Sequence, residues 1–442
     1  MKRFMHLAGI LSFGAMAFPV LAQDLPRPMN DADFPALSDS EVSLGQLLFY
    51  DPILSGNRNI ACATCHHPKF ATSDGLSLGL GEGGVGLGPA RKATTENTPE
   101  QLIPRNSPAL FNTGALGFTA LFADGRIEVD PNRPSGIRTP LGDDMVAGFD
   151  SLLSAQTMFP VLSQDEMAGH YQENDVSLAV RRGLMTGEGG AWSIIADRVA
   201  SIEAYQAQFE DTYAEIAAGR DVAFTDISNS ISAFVAFEWR SDNSQFDAVL
   251  RGEDQFEGTA ARGAELFYGE GGCADCHSGP LLSDMDFHAM GQPQLGPGKA
   301  ARFEQHQRDT GRMRVTGRSE DLYAFKTPSL RNVSRTGPWG HAGAFTSLDA
   351  FLRQHTSPVT GLSAYERVAI LPAFSGAKPI WWAMDSAEER QAIADAAADA
   401  TAISDKDISA ISAFLATMSD ETALSGRLGI PDAVPSGLPV DR

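Results

Sequence analysis

The sequence predicts a mainly α-helical chain folded as two tandem domains, and three observations carry that expectation. The pentads Cys62-Ala-Thr-Cys65-His66 and Cys273-Ala-Asp-Cys276-His277 use all four cysteines of the 442 residues, so none is left for a disulfide. A similar apolar unit precedes each pentad: Gly45-Gln-Leu-Leu48-Phe49-Tyr50 before the first and Gly263-Ala-Glu-Leu266-Phe267-Tyr268 before the second. Both carry apolar residues at helical spacing, and strand-like alternation is scarce along the chain.

The pentads also say what each domain surrounds. Two thiols add across the vinyl groups of a haem, and the adjoining histidine is then placed to ligate the iron. His66 and His277 are the expected ligands of two covalent c-type haems. Zinc is the bland alternative, but structural zinc pairs stand close in sequence and these stand far apart. A thiol redox motif would explain one pair and leave both histidines unexplained.

Taken in order, residues 1–22 read as a signal peptide. Lys2 and Arg3 precede an apolar stretch ending in Val20-Leu21-Ala22, a small-residue cleavage pattern. No later segment approaches the ~18 consecutive apolar residues of a membrane span. Export to the periplasm follows, and c-type haems are attached outside the cytoplasmic membrane. Residues 23–245 are expected to form the first haem domain and 246–442 the second, with the boundary in the polar stretch from Ser241 to Asp254. A long helix is predicted over Asp226 to Trp239, with Ile227, Ile231, Phe234 and Val235 on one face. Ser404-x-x-Asp407 reads as a capping box opening the last helix.

Three segments read as loops or insertions. Leu76 to Pro104 is Gly-rich but follows no strand and lacks a closing Gly-Lys-Ser/Thr, so a phosphate cradle is not expected; it reads as a flexible surface loop near the first haem. Ile127 to Asp150 is rich in Pro, Gly and Asp. Thr356 to Ala402 carries Trp381-Trp382, either a docking patch or, as the more ordinary reading, a hydrophobic anchor.

The formal charge is −22. It makes nucleic acid and anionic membrane poor partners and favours a locally basic electron donor, although acidity also serves solubility alone.

Together these residues resemble the bacterial dihaem cytochrome c peroxidase and MauG superfamily, from about Leu44 to Met418. The matching stretches are Leu48 to Ser55, Arg105-Asn-Ser-Pro108, Asp124-Gly-Arg126, Asp247, Phe287-His288, Thr327 to Val333, Thr336-Gly-Pro338 and His341. The resemblance implies two cytochrome-c-like haem domains in tandem, with peroxide meeting the first haem and electrons entering at the second. It implies Glu166 as acid/base, ten residues after Gln156, which orients peroxide or water. It also implies an interdomain calcium ion held by the Asn106 side chain and the carbonyls of Thr336 and Pro338.

Departures from the family pattern refine the expectation. Classical peroxidases place a histidine about sixteen residues beyond the first haem histidine, and this chain has none there, so the first haem is expected to be open at rest. His67 adjoins the proximal His66 and is badly placed to reach the opposite face. Counting from Ser347-Leu348-Asp349, the sixth ligand of the second haem falls on His355, giving bis-histidine ligation where relatives have Met or Tyr; Met290, Met313 and His341 are competitors. The aromatic residue common before Asp-Gly-Arg is replaced by Ala123, so Phe122, Trp339 or another path must carry electrons between the haems. The leading expectation is a periplasmic peroxidase that reduces hydrogen peroxide with electrons from a small cytochrome c or cupredoxin. The alternatives are a MauG-like oxidase acting on a protein substrate and a non-catalytic dihaem electron carrier.

Overall fold

A computed structural model describes residues 25–299, 306–374 and 380–442. The expected signal peptide, 1–22, lies outside them. Helices dominate, and no described strand exceeds three residues. No helix among the described residues is long and apolar enough to cross a membrane.

Each lobe is built on a crossed helix pair. In the first, Asp39–Tyr50, capped by Ser38 Oγ accepting from the Glu41 N–H at 3.2 Å, packs on Phe224–Glu238. In the second, Gly258–Phe267 packs on Asp405–Ala416, whose cap is the expected Ser404. The repeated glycine explains the close crossing. A Cβ at Gly45 would collide with the Ser230 carbonyl, and one at Gly263 with the Ala410 carbonyl. The repeated aromatics then fill the crossing: Phe49 and Phe234 stand 5.3 Å apart, Phe267 and Phe414 5.2 Å.

The repeat extends beyond those helices, to Ser107-Pro-Ala-Leu-Phe-Asn112 and Thr327-Pro-Ser-Leu-Arg-Asn332. Ser73 Oγ donates to the Ser107 carbonyl and Ser283 Oγ to the Thr327 carbonyl, both at 2.7 Å. Asn112 N–H donates to Trp239 O at 3.1 Å, and Asn332 N–H to Met418 O at 3.2 Å. The lobes meet at Ser241, whose N–H and carbonyl bond the Asn112 side chain at 2.6 and 2.8 Å, while its Oγ accepts from Asn332 Nδ2 at 2.9 Å. A buried ion cluster joins them too, Arg105 reaching Asp124 at 2.8 Å and Asp309 at 2.6 Å.

Three expectations need correction. The Gly-rich segment is not a surface loop: Leu76 is buried, and Leu78 and Leu80 are buried in one cluster with Ala342, Ala344 and Phe345. Arg91 fastens it, donating to the carbonyls of Leu80, Gly81 and Gly86, the last two at 2.8 and 2.7 Å. Ile127 to Asp150 is not wholly irregular either, since Ile127–Val129 pairs with both Ala120–Leu121 and Ile137–Arg138. The insertion from 356 to 402 contains the helices Pro358–Ser363, Trp382–Asp385 and Ala387–Ala396, and Trp381 packs in a small core with Tyr365 6.1 Å away.

The end of the chain returns to the first lobe. Glu238 accepts the N–H groups of Leu428 and Gly429, Ser436 Oγ donates to Asp51, and Thr64 Oγ1 donates to Asp441 at 2.6 Å. Ala423 and Val434 belong to the first core. By packing, the tail sits with the first lobe, although the 246–442 division assigned it to the second.

Candidate functional site

The two pentads lie in separate lobes and take the same local form. The Cys62–Cys65 turn leads to His66, whose Nδ1 lies 3.0 Å from the Thr72 carbonyl; the Cys273–Asp275 turn leads to His277, whose Nδ1 lies 3.1 Å from the Leu282 carbonyl. A carbonyl only accepts, so Nδ1 carries the hydrogen in each ring and Nε2 keeps its lone pair. Burial lowers both pKa values, which favours the neutral, ligating form. Burial raises all four thiol pKa values, Cys65 to about 12 with Asp74 and Glu166 adding to the effect. Thiols kept protonated in this way are unlike those of redox Cys-x-x-Cys motifs.

Opposite His277 stands His355, at the end of the Leu348–His355 helix. The two ring centroids are 6.3 Å apart. Metal–nitrogen bonds of about 2 Å on both sides, with about 1 Å from nitrogen to ring centre, span about 6 Å. The separation fits one metal between them. His355 Nδ1 is buried without a protein partner, its ring stacks on Phe351 at 5.3 Å, and burial lowers its pKa to about 4. His341 is not brought to this site; it stacks on Phe325 at 3.9 Å.

Two tyrosines at equivalent points of the repeat, Tyr50 and Tyr268, have buried hydroxyls with no protein partner. An acceptor-bearing group in each lobe would satisfy them. Together with the free Nε2 lone pairs, this donor set fits a haem in each lobe. Cys276, Asp284 and His288 form the one three-residue cluster among the described residues able to hold a metal ion, but haem attachment would consume the Cys276 thiol.

Glu166 lies on a single π-type turn, Gln164–Ala168, a form common at functional sites. Neighbours pin the turn. Gly56 N–H donates to Met167 O at 2.8 Å, Glu82 N–H to Asp165 O at 3.1 Å, and Asn174 Nδ2 to Ala168 O at 2.9 Å. Gly81 lies directly against Asp165 and Glu166, where a Cβ would collide. Burial raises the Glu166 pKa, and the Lys299 and Arg126 charges pull it back. Its charge acts on the Cys65 thiol, so it lies within electrostatic reach of the first pentad. Gln156, half-buried, ends the Leu152–Thr157 helix.

Sequence reasoning missed Glu82, sixteen residues beyond His66. It is buried, and its Oε1 accepts from the side-chain amides of Asn57, Asn59 and Asn97 at 2.9, 2.8 and 2.9 Å. Nothing local in the sequence marks such a knot, since its members are spread over 57–97. The expected calcium residues are partly assembled. Asn106 accompanies the 341 segment, its N–H donating to His341 O at 2.9 Å, and its Nδ2 donates to Leu76 O at 2.6 Å. That leaves Oδ1 as the end available to a hard cation. Thr336 and Pro338 lie a few residues before His341 in the chain.

Residues 39–255 match the family model described as di-haem cytochrome c peroxidase. The chain belongs to the di-haem cytochrome c peroxidase and MauG family. It is 29% identical over 334 residues to methylamine utilization protein MauG of Methylorubrum extorquens, covering 75% of this chain and 71% of that one. It is 26% identical over 411 residues to cytochrome-c peroxidase IdrP2 of Denitromonas iodatirespirans, covering 85% and 92%, and 26% identical over 324 residues to cytochrome c551 peroxidase of Pseudomonas aeruginosa, covering 73% of each. Among solved structures, the diheme peroxidase BthA of Burkholderia thailandensis shares the fold with a TM-score of 0.57 at 19% identity, covering 96% of this chain and 97% of that one. A MauG-like protein associated with microbial copper homeostasis also has a TM-score of 0.57, at 22% identity over 93% and 97%. The chain is therefore a mainly helical member of a dihaem family, with two haem c motifs.

Proposed function

We propose that the protein is a periplasmic peroxidase that reduces hydrogen peroxide to two waters, taking two electrons from a small cytochrome c or cupredoxin and two protons from solvent. The observation that carries this reading is Glu166, held on a pinned turn within electrostatic reach of the first pentad, with its pKa raised by burial. When bound, the haem at His66 supplies the redox chemistry that splits the peroxide bond. Glu166 moves the proton: it accepts one from the nearer peroxide oxygen and returns it to the farther oxygen, so that water leaves. Gln156 orients the peroxide. His66, its Nδ1–H fixed by Thr72, would hold the first haem through Nε2, and Glu82, where the family resemblance expects a displaceable histidine, is engaged by Asn57, Asn59 and Asn97 and would not compete with peroxide. His277 and His355 hold the second haem, where donor electrons enter. Asn106 with the Thr336 and Pro338 carbonyls takes a calcium ion between the lobes.

Identities of 26 to 29% do not separate peroxidases from MauG, so a second reading is MauG-like oxidation of side chains in a partner protein. The likeness to MauG favours it; Ala123, in place of an aromatic relay, counts against it. Electron paramagnetic resonance of the ferric protein, followed by peroxide addition to wild type and Glu166→Gln, tests the proposal. The peroxidase reading expects a high-spin signal beside a bis-histidine low-spin signal, steady turnover with a reduced small donor, and a fall of about 10²–10⁴-fold in Glu166→Gln. Two low-spin signals indifferent to peroxide would leave an electron carrier. Covalent change in a co-purifying protein without donor turnover would favour the MauG-like reading.

A further inference from the structure

Lys326 is a half-buried cation that the proposed reaction does not use. Its N–H donates to the Ala123 carbonyl at 2.8 Å, across the gap between the lobes. The ammonium donates to the Thr327 carbonyl at 3.1 Å and faces the Phe118 ring at 5.5 Å. It enters no ion pair among the described residues. Asp284, whose charge it feels, is already bonded to His288 at 2.9 Å. Burial lowers the Lys326 pKa to about 8, which still leaves it protonated at neutral pH. With part of its hydration lost and no ion-pair partner among the described residues, this charge calls for a counterpart.

The repeat shows where it stands. Ser107 and Thr327 are equivalent through their bonds from Ser73 and Ser283. One residue earlier, the first lobe has neutral Asn106 and the second has Lys326. At the same point beside the haem-binding histidine, the lobes thus differ by one positive charge. The Thr327 carbonyl that accepts from the ammonium also accepts from Ser283 Oγ, and Ser283 directly follows Leu282, whose carbonyl lies 3.1 Å from His277 Nδ1.

We propose that Lys326 sets the reduction potential of the second haem, its ammonium balancing the carboxylates of that haem and holding the iron toward the ferrous state. A fixed positive charge in a low-dielectric setting disfavours whichever oxidation state carries more positive charge. Bis-histidine ligation, unlike His/Met, leaves the potential low. The partly desolvated ammonium opposes that effect, so electrons collect at the second haem even though both ligands are histidines. It also disfavours moving an oxidising equivalent across the gap at Ala123. The inference rests on the haem reading of the second pentad.

The test is a spectroelectrochemical titration of both haems in the full dihaem protein, in wild type, Lys326→Gln and Lys326→Arg, with electron paramagnetic resonance as a check on ligation. At the potential where the wild-type second haem is half reduced, Lys326→Gln is expected to raise its oxidised-to-reduced ratio about tenfold, a midpoint fall of about 59 mV for one electron. Lys326→Arg should keep the wild-type midpoint, and the first haem should not follow either change. An unmoved second midpoint in Lys326→Gln, or an equal shift of both haems, overturns the inference. If Lys326→Gln fails to retain the second haem, Lys326→Arg decides: a wild-type midpoint supports the role and a lowered one overturns it. Absence of a bis-histidine signal in wild type would instead defeat the His355 assignment, leaving the Lys326 comparison intact.

Discussion

The imidazoles of His277 and His355 face each other with centroids 6.3 Å apart and planes inclined at 52°. His355→Met should exchange the bis-histidine signal for a His/Met one and raise the second midpoint, because a thioether favours ferrous iron. The first-haem signal should stay as it was. If the second signal is unchanged by this substitution, some other side chain is the ligand.

Gly81→Ala tests the placement of Glu166. The added methyl would strike the Asp165 carbonyl and the Glu166 backbone and push the turn away from the first pentad. A displacement of about 1 Å at a reacting group costs about 10²-fold, so peroxide turnover should fall by about that factor while the second-haem signal persists. Unaltered turnover would mean that Glu166 is not the working carboxylate.

Gly45→Ala and Gly263→Ala should act on separate lobes. Each forces a methyl into the facing helix backbone, and overpacking of this kind costs about 1–3 kcal/mol or more. Chemical denaturation followed at each haem should show Gly45→Ala lowering the first transition and Gly263→Ala the second.

His341 predicts an acid-sensitive fold. Burial lowers its pKa from the ordinary 6.5 to about 4, with Arg105 adding to the effect and Asp309 opposing it, while its Nδ1 lies 3.2 Å from Gln292 Oε1. The folded state therefore binds fewer protons than the unfolded one between these values. Stability is fully present above pH 6.5 and falls as pH drops toward 4, by about 3 kcal/mol in all. His341→Gln should flatten that part of the stability profile measured by denaturant titration. A profile identical to wild type would show that His341 does not contribute.

Chelation tests the calcium assignment. An ion bound only by the folded protein stabilises it by mass action, about 2.7 kcal/mol at a hundredfold excess over the dissociation constant. Calcium added back to chelator-treated protein should raise the melting temperature, and Asn106→Ala should abolish the rise. A melting temperature indifferent to calcium in wild type removes the ion from the proposal.

The pentads and the Gly45 and Gly263 units were legible because their chemistry is local: covalent attachment fixes the one, and close crossing of two helices fixes the other. The rest of the repeat was also written in the sequence, as Ser107-Pro-Ala-Leu-Phe-Asn112 and Thr327-Pro-Ser-Leu-Arg-Asn332, but went unread because its meaning lies in bonds to distant carbonyls, from Ser73 and Ser283 and from Asn112 and Asn332. The Gly-rich segment misled for a related reason. Glycine there serves close approach: Gly81 lies against Asp165 and Gly343 against Ser77, as tight a packing as any helix crossing. The tail from 421 to 442 carries Val434, Leu438 and Val440 without helical or strand period, so nothing in it announced the first core. Glu166 and Gln156 were reached through resemblance; by itself the sequence offers only one glutamate among many.

The bond from Thr64 to Asp441 gives the chain an order of assembly. A polypeptide emerging from its N-terminus exposes the first Cys-x-x-Cys-His long before the residues that cover it, and the second lobe is complete before that cover arrives. The half of the molecule made first is thus finished last. In an export that proceeds from the N-terminus, the attachment machinery outside the membrane has access to the first pentad from the side that the tail later shuts.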